Sequence, residues 1–180
     1  GLDRQRALAV RVARAGPESP IKETNNFDKL EIPFRAVCTD LETGEAVILR
    51  DGSLSQAMRA SSSVSFFLSP VEINSRQLVD GGLVANIPVE ITSQQGADLV
   101  IAVNTTSDLH SKENLDVPWV VADQVLSIPM KLLNEKQLNK ADFVITPNLN
   151  GASATNFSKM DTLIIKGYLA ALPYISKIKN

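Results

Sequence analysis

In the run Leu78-Val79-Asp80-Gly81-Gly82-Leu83-Val84-Ala85-Asn86-Ile87-Pro88 an acid ends an apolar strand and two glycines follow it. Glycine lets another backbone come close, so such a carboxylate can be held against a partner in a partly dry site. Hydrogen-bonded to a serine hydroxyl, it can serve as general base without histidine. The same residue types also fit an aspartate that only caps a turn.

Other chemistry has little written support. A lipase elbow, G-x-S-x-G, needs two glycines four positions apart, and no pair among the nine glycines has that spacing. Gly151-Ala152-Ser153-Ala154-Thr155 lacks the second glycine and follows Pro147 in a polar loop rather than joining a strand to a helix. His110 is the single histidine, so a Ser-His-Asp triad on this chain would have to use it; it stands in a solvated connection and reads as a surface residue. Gly81-Gly82 is the only close glycine pair and no Gly-Lys-Ser/Thr follows, so phosphate-cradling loops are missing and no cofactor is expected. The lone Cys38 excludes an internal disulfide and a CxxC site, and no metal framework is written.

The 180 residues suffice for one ordinary domain, with 44% hydrophobic and 21% charged residues, the balance of a folding chain rather than a disordered one. Net charge is -2 with scattered lysines and arginines, which argues against nucleic acid as a partner. The longest apolar stretches fall well short of the roughly 20 residues of a spanning helix.

The elements that must position Asp80 follow from turn and cap signals. Leu2 to Arg14 forms a short basic helix-like run stopped by Gly16-Pro17, and a linker follows, so residues 1–26 form a leading segment and 27–180 the domain proper. Ile32 to Thr39 and Ala46 to Leu49 flank the turn signal Thr43-Gly44 as a hairpin ended by Asp51-Gly52, and Ser53 or Ser55 caps a helix through about Arg59. Val71 to Ile73 and Gln77 to Val79 bracket Asn74-Ser75-Arg76 as a second hairpin that delivers Asp80. Pro88 and Gly96 bound a short helix, and Leu99 to Val103 reads as a buried strand. Pro118 to Leu138 is a long helix broken or kinked at Pro129, Phe143 to Thr146 a strand, and Met160 to Ile178 a closing helix with Leu163, Ile164, Tyr168 and Leu172 on its apolar side. Alternating strands and helices argue for an α/β sheet protein.

Taken together, Ile32-Pro33-Phe34-Arg35-Ala36-Val37-Cys38-Thr39-Asp40-Leu41 with Thr43-Gly44, then Arg59-Ala60-Ser61, then Leu78 to Pro88, and finally Gly96 to Val103, resemble the patatin-like phospholipases, notably their bacterial branch. The resemblance covers about Phe27 to Tyr174. It implies a three-layer α/β/α fold and a Ser-Asp dyad that cleaves lipid esters through an acyl-enzyme. By motif, Asp80 is then the dyad aspartate, Gly81 and Gly82 complete the motif, and Asn86 holds the backbone of the loop.

The family's oxyanion loop and its G-x-S-x-G serine lie N-terminal to these motifs, and this chain contains neither. On that resemblance it is the C-terminal part of a patatin-like domain, supplying the base but inactive alone. Its expected partners are a lipid or ester substrate, the N-terminal half of the same domain, whether or not on a separate polypeptide, and a membrane surface; its localisation stays open. Ser65 and Phe66 stand where relatives usually carry proline and glycine, and Val64 to Leu68 thereby motivates a second reading, a non-catalytic lipid-binding or scaffold module.

Overall fold

The computed structural model describes residues 25–64, 68–149, 152 and 160–178. The basic run at the N-terminus, the Ser65-Phe66 departure and the Gly151 to Thr155 look-alike lie outside these residues, the last save for Ala152. The chain divides into two compact units that meet in sequence at Asn86 and Ile87.

The first unit is a four-stranded antiparallel sheet with a helix against it, its strands standing side by side in the order Ala46–Leu49, Ala36–Asp40, Arg76–Asp80 and Val71–Ile73. Strands β1 (Ala36–Asp40) and β2 (Ala46–Leu49) pair with Cys38 opposite Val47, and Gly44 at φ +71° makes the reversal between them. Asp40 fixes that turn: its carbonyl accepts from Gly44 N–H (2.8 Å) and its carboxylate from Glu42 N–H (3.0 Å).

Helix α1 (Leu54–Ser61) starts at Ser53, whose hydroxyl accepts the Gln56 N–H, as the serine signal indicated. Its buried residues are Ala57 and Ala60, small enough to let the helix lie close on Ala36, Cys38, Val71 and Leu78. Phe27 and Leu49 complete this core.

Strands β3 (Val71–Ile73) and β4 (Arg76–Asp80) form the second expected hairpin. Ile73 pairs with Arg76, leaving Asn74 and Ser75 as a two-residue turn, both at positive φ (51° and 62°). That is the type I′ geometry whose twist matches the strands it joins. The register sends β4 between β3 and β1 and ends it at Asp80, from which the short helix α2 (Gly82–Ala85) departs.

The second unit opens with α3 (Val89–Gln94), ended by Gly96 at φ +88°. Strand β5 (Ile101–Val103), helix α4 (Pro118–Leu138) and β6 (Phe143–Ile145) then make a parallel β-α-β unit, and α5 (Met160–Ile178) follows. Helix α4 runs through Pro129 as one element. Its core is small: Ile87, Val89, Val100 and Ala102, with Leu138 and Ala141 against them. Asp142 ties the strand entry by accepting from Val100 N–H at 2.8 Å, and Phe143 meets Tyr174 edge-on at 6.1 Å.

Two expectations change here. The run Leu99 to Val103 is buried on one side only: Val100 and Ala102 are buried, but Leu99, Ile101 and Val103 are exposed. On α5, Ile164, Tyr168 and Leu172 face solvent. The reason is that, among the described residues, β5 and β6 form a two-stranded sheet, so apolar side chains suited to a covered parallel sheet lack the layers that would cover them. The mixed α/β character agrees with the fold class read from the sequence.

Candidate active site

Asp80 is the last residue of β4, and three neighbouring segments hold it. Its backbone N–H donates to the carbonyl of Ser63 (3.0 Å), just past the end of α1. Its carbonyl accepts the hydroxyl of Thr39 (3.0 Å) on β1. Its carboxylate Oδ1 accepts the N–H of Gly82 (2.7 Å) at the start of α2. Among the described residues no hydrogen bond is made by the other carboxylate oxygen, Oδ2.

The anchors are themselves buried. Ser63 is fully buried, and its hydroxyl donates to the Arg59 carbonyl at 2.8 Å, closing the end of α1. Thr39 is buried within β1, opposite Val79. A backbone satisfied at both N–H and C=O cannot easily turn, so the direction of the carboxyl is set by the sheet rather than by solvent.

The sharp turn after Asp80 depends on Gly81. A Cβ on Gly81 would stand 2.4 Å from the Val37 carbonyl oxygen and 2.7 Å from its carbon. Backbone of β1 occupies that space, so no side chain can be accommodated without moving the strand. This is the close approach that the glycine pair indicated in the sequence. Gly82 is buried, and its N–H is spent on the carboxylate.

Partial burial raises the Asp80 pKa above its ordinary value, because desolvation penalises the charged form; the Gly82 N–H, which favours the carboxylate, offsets part of this. A carboxyl raised in this way is a better proton acceptor than an exposed aspartate. Cys38 stands opposite Asp80 across the β1–β4 ladder. Its thiol is pushed up to about 11 by burial first and by the Asp80 charge second, so it stays a neutral wall beside the carboxyl.

Asn86 lies exposed at the end of α2, and among the described residues its side chain makes no hydrogen bond to the loop. The loop is held instead by the Gly82 N–H on Asp80 and by the Val84 and Ala85 N–H groups on the Gly81 carbonyl. Thr39, Ser63 and Val37 carry parts of the site that residue types alone did not single out. The register of β1 against β4 was needed to find Thr39 and Val37, and the placement of the end of α1 beside β4 to find Ser63.

His110 is at the surface, as expected, with its Nε2 at 2.7 Å from Asp123 Oδ2 and its backbone N–H on Gln124 Oε1. Among the described residues no serine hydroxyl is hydrogen-bonded to it, and no group of three or more His, Cys, Asp or Glu could hold a metal ion. No described helix is long and apolar enough to cross a membrane.

Comparison with known sequences agrees with the motif. An uncharacterized NTE family protein of Mycobacterium tuberculosis is 39% identical over 62 residues, which is 34% of this chain and 17% of that protein. A second such protein from the same species is 46% identical over 55 residues, 31% of this chain and 9% of its own length. Mycobacterium bovis has counterparts with the same figures. The chain thus spans less than a fifth of the length of these relatives. A family profile described as patatin-like phospholipase matches residues 3–93, half of the chain, and includes Asp80, Gly81 and Gly82. With Asp80 at the mouth of a glycine turn and half its length matched by that profile, the chain belongs to the patatin-like phospholipase family.

Proposed function

We propose that this chain is part of a lipid acyl hydrolase of the Ser-Asp type, in which Asp80 is the general base. The observation that carries the reading is the Asp80 carboxyl: fixed at Oδ1 by Gly82, raised in pKa by burial, and without a hydrogen bond at Oδ2 among the described residues. Oδ2 takes the proton of a serine hydroxyl as its oxygen attacks the ester carbonyl. The tetrahedral intermediate collapses, the alcohol leaves with that proton, and an acyl-serine remains. Water then gives its proton to Asp80 as it attacks the acyl carbon, and the serine recovers the proton as the fatty acid departs.

The serine and the oxyanion donors are supplied by the N-terminal half of the same domain, since the elbow motif is not written in these 180 residues. Support comes from the second unit, where apolar residues of β5, α4 and α5 are exposed and, among the described residues, the parallel sheet has two strands. Parallel sheets are normally covered on both faces, and the N-terminal half is the element suited to cover this one. Alone, the chain lacks the nucleophile and turns over no ester. In the whole bacterial protein the substrate is a lipid ester presented at a membrane surface.

The test is labelling of the full-length protein with a fluorophosphonate, which reacts with an activated serine. Wild type is expected to label upstream of this chain, and Asp80→Asn to lose labelling and hydrolysis by about 10²- to 10⁴-fold. Labelling that persists in Asp80→Asn removes Asp80 as the base. A folded full-length protein that never labels and hydrolyses no ester leaves the non-catalytic lipid-binding module.

A further inference from the structure

The geometry points to Thr39 as a positioning residue for Asp80, an assignment that rests on Asp80 being the base. Thr39 is 3% exposed, and its hydroxyl donates to the Asp80 carbonyl across the ladder at 3.0 Å. This bond falls at the end of the β1–β4 pairing, of which Cys38 and Asp80 are the last pair. Without it the Asp80 carbonyl, at the start of the turn into Gly81, would lose its bond to β1.

Three consecutive residues of β1 therefore divide the task. Val37 offers the backbone surface on which Gly81 rests, Cys38 walls the carboxyl with an uncharged thiol, and Thr39 fixes the Asp80 peptide. The first two act by shape and can be met by many small residues. The Thr39 contribution requires a hydroxyl, which makes it specific to threonine or serine.

Loss of the donor frees the peptide that follows Asp80 to rotate. The carboxyl then moves off its line to the serine oxygen and gains water. The first effect lowers kcat with KM little changed, because the lipid itself does not touch Thr39. The second lowers the Asp80 pKa, because burial is the main cause of its rise.

The experiment compares Thr39→Val, which keeps the shape and removes the donor, with Thr39→Ser, which keeps the donor, in the full-length protein, beside Asp80→Asn. Thr39→Val is expected to lose about tenfold or more in kcat, with KM within about twofold and the acidic limb of the kcat profile moved to lower pH. Thr39→Ser is expected to stay within about threefold of wild type. Equal losses in the two variants, or a Thr39→Val enzyme with unchanged kcat and acidic limb, overturn the assignment. Should Thr39→Val fail to fold, Thr39→Cys, of similar volume and a weaker donor, takes its place in the comparison with the same outcomes. Retained activity in Asp80→Asn overturns the reading of Asp80 itself, whatever the Thr39 variants do.

Discussion

Cys38 and Asp80 stand directly opposite one another across the β1–β4 ladder, as a pair whose backbone groups do not bond to each other. Side chains in such a pair approach more closely than in a hydrogen-bonded one. A buried thiol and a partly buried carboxyl therefore share one small space, and the charge of the carboxylate disfavours ionisation of the thiol.

The thiol should accordingly be inert in the folded protein. With its pKa pushed up to about 11 and its side chain fully covered, Cys38 has almost no thiolate at neutral pH. Labelling with a maleimide at neutral pH is expected to be negligible at Cys38 until denaturant is added, with mass spectrometry reading the site. Asp80→Asn should leave it inert, because burial, the larger cause, remains. Rapid labelling of native Cys38 would contradict the packing described.

Asp80 should cost the folded protein stability at neutral pH. Its folded pKa lies above its ordinary value of 3.8, so folding favours the protonated form. Below the unfolded pKa no penalty is present; as pH rises through the folded pKa, stability is lost. Asp80→Asn keeps an oxygen for the Gly82 N–H and removes the charge. Its thermal midpoint should exceed that of wild type at pH 7, with the difference shrinking toward zero by about pH 3. A variant less stable than wild type at pH 7 would show that the carboxylate is stabilised by partners and not penalised by burial.

Gly81 should tolerate no side chain. Gly81→Ala puts a Cβ into the Val37 peptide, which belongs to a central strand and cannot give way, and the expected loss is about 3 kcal/mol. Gly52→Ala is the comparison: Gly52 has φ +88° with nothing within 4 Å of the added atom, so only backbone strain of about 1 kcal/mol applies. Chemical denaturation of both variants checks the order, and equal losses would mean that β1 yields to Gly81.

Much of the local structure was legible because it rests on short-range chemistry. Ser53 announced the start of α1, Gly96 the end of α3, and the Met160 to Ile178 periodicity the closing helix, while the reversal read at Asn74-Ser75-Arg76 proved one residue shorter, with Arg76 in the strand. These signals act over a few residues and need no partner from elsewhere in the chain. The Asp80-Gly81-Gly82 run was legible for the same reason: an acid before two glycines states both a carboxylate and a close backbone approach.

Burial was less legible where it depends on what lies alongside. The strand Ile101–Val103 is apolar throughout and reads as covered, but exposure is set by neighbouring strands and helices, which periodicity does not count. Tertiary structure also chose the anchors of the site. Thr39, Cys38 and Val37 are about forty residues from Asp80 in sequence, and nothing in their types assigns them to it. Strand register does, because a shift of one residue would exchange the faces of Cys38 and Thr39 and remove both from their places. An acid before two glycines already named the group that could carry a proton; the pairing of β1 with β4 set how that group is held, how dry it is, and which of its oxygens meets the Gly82 N–H.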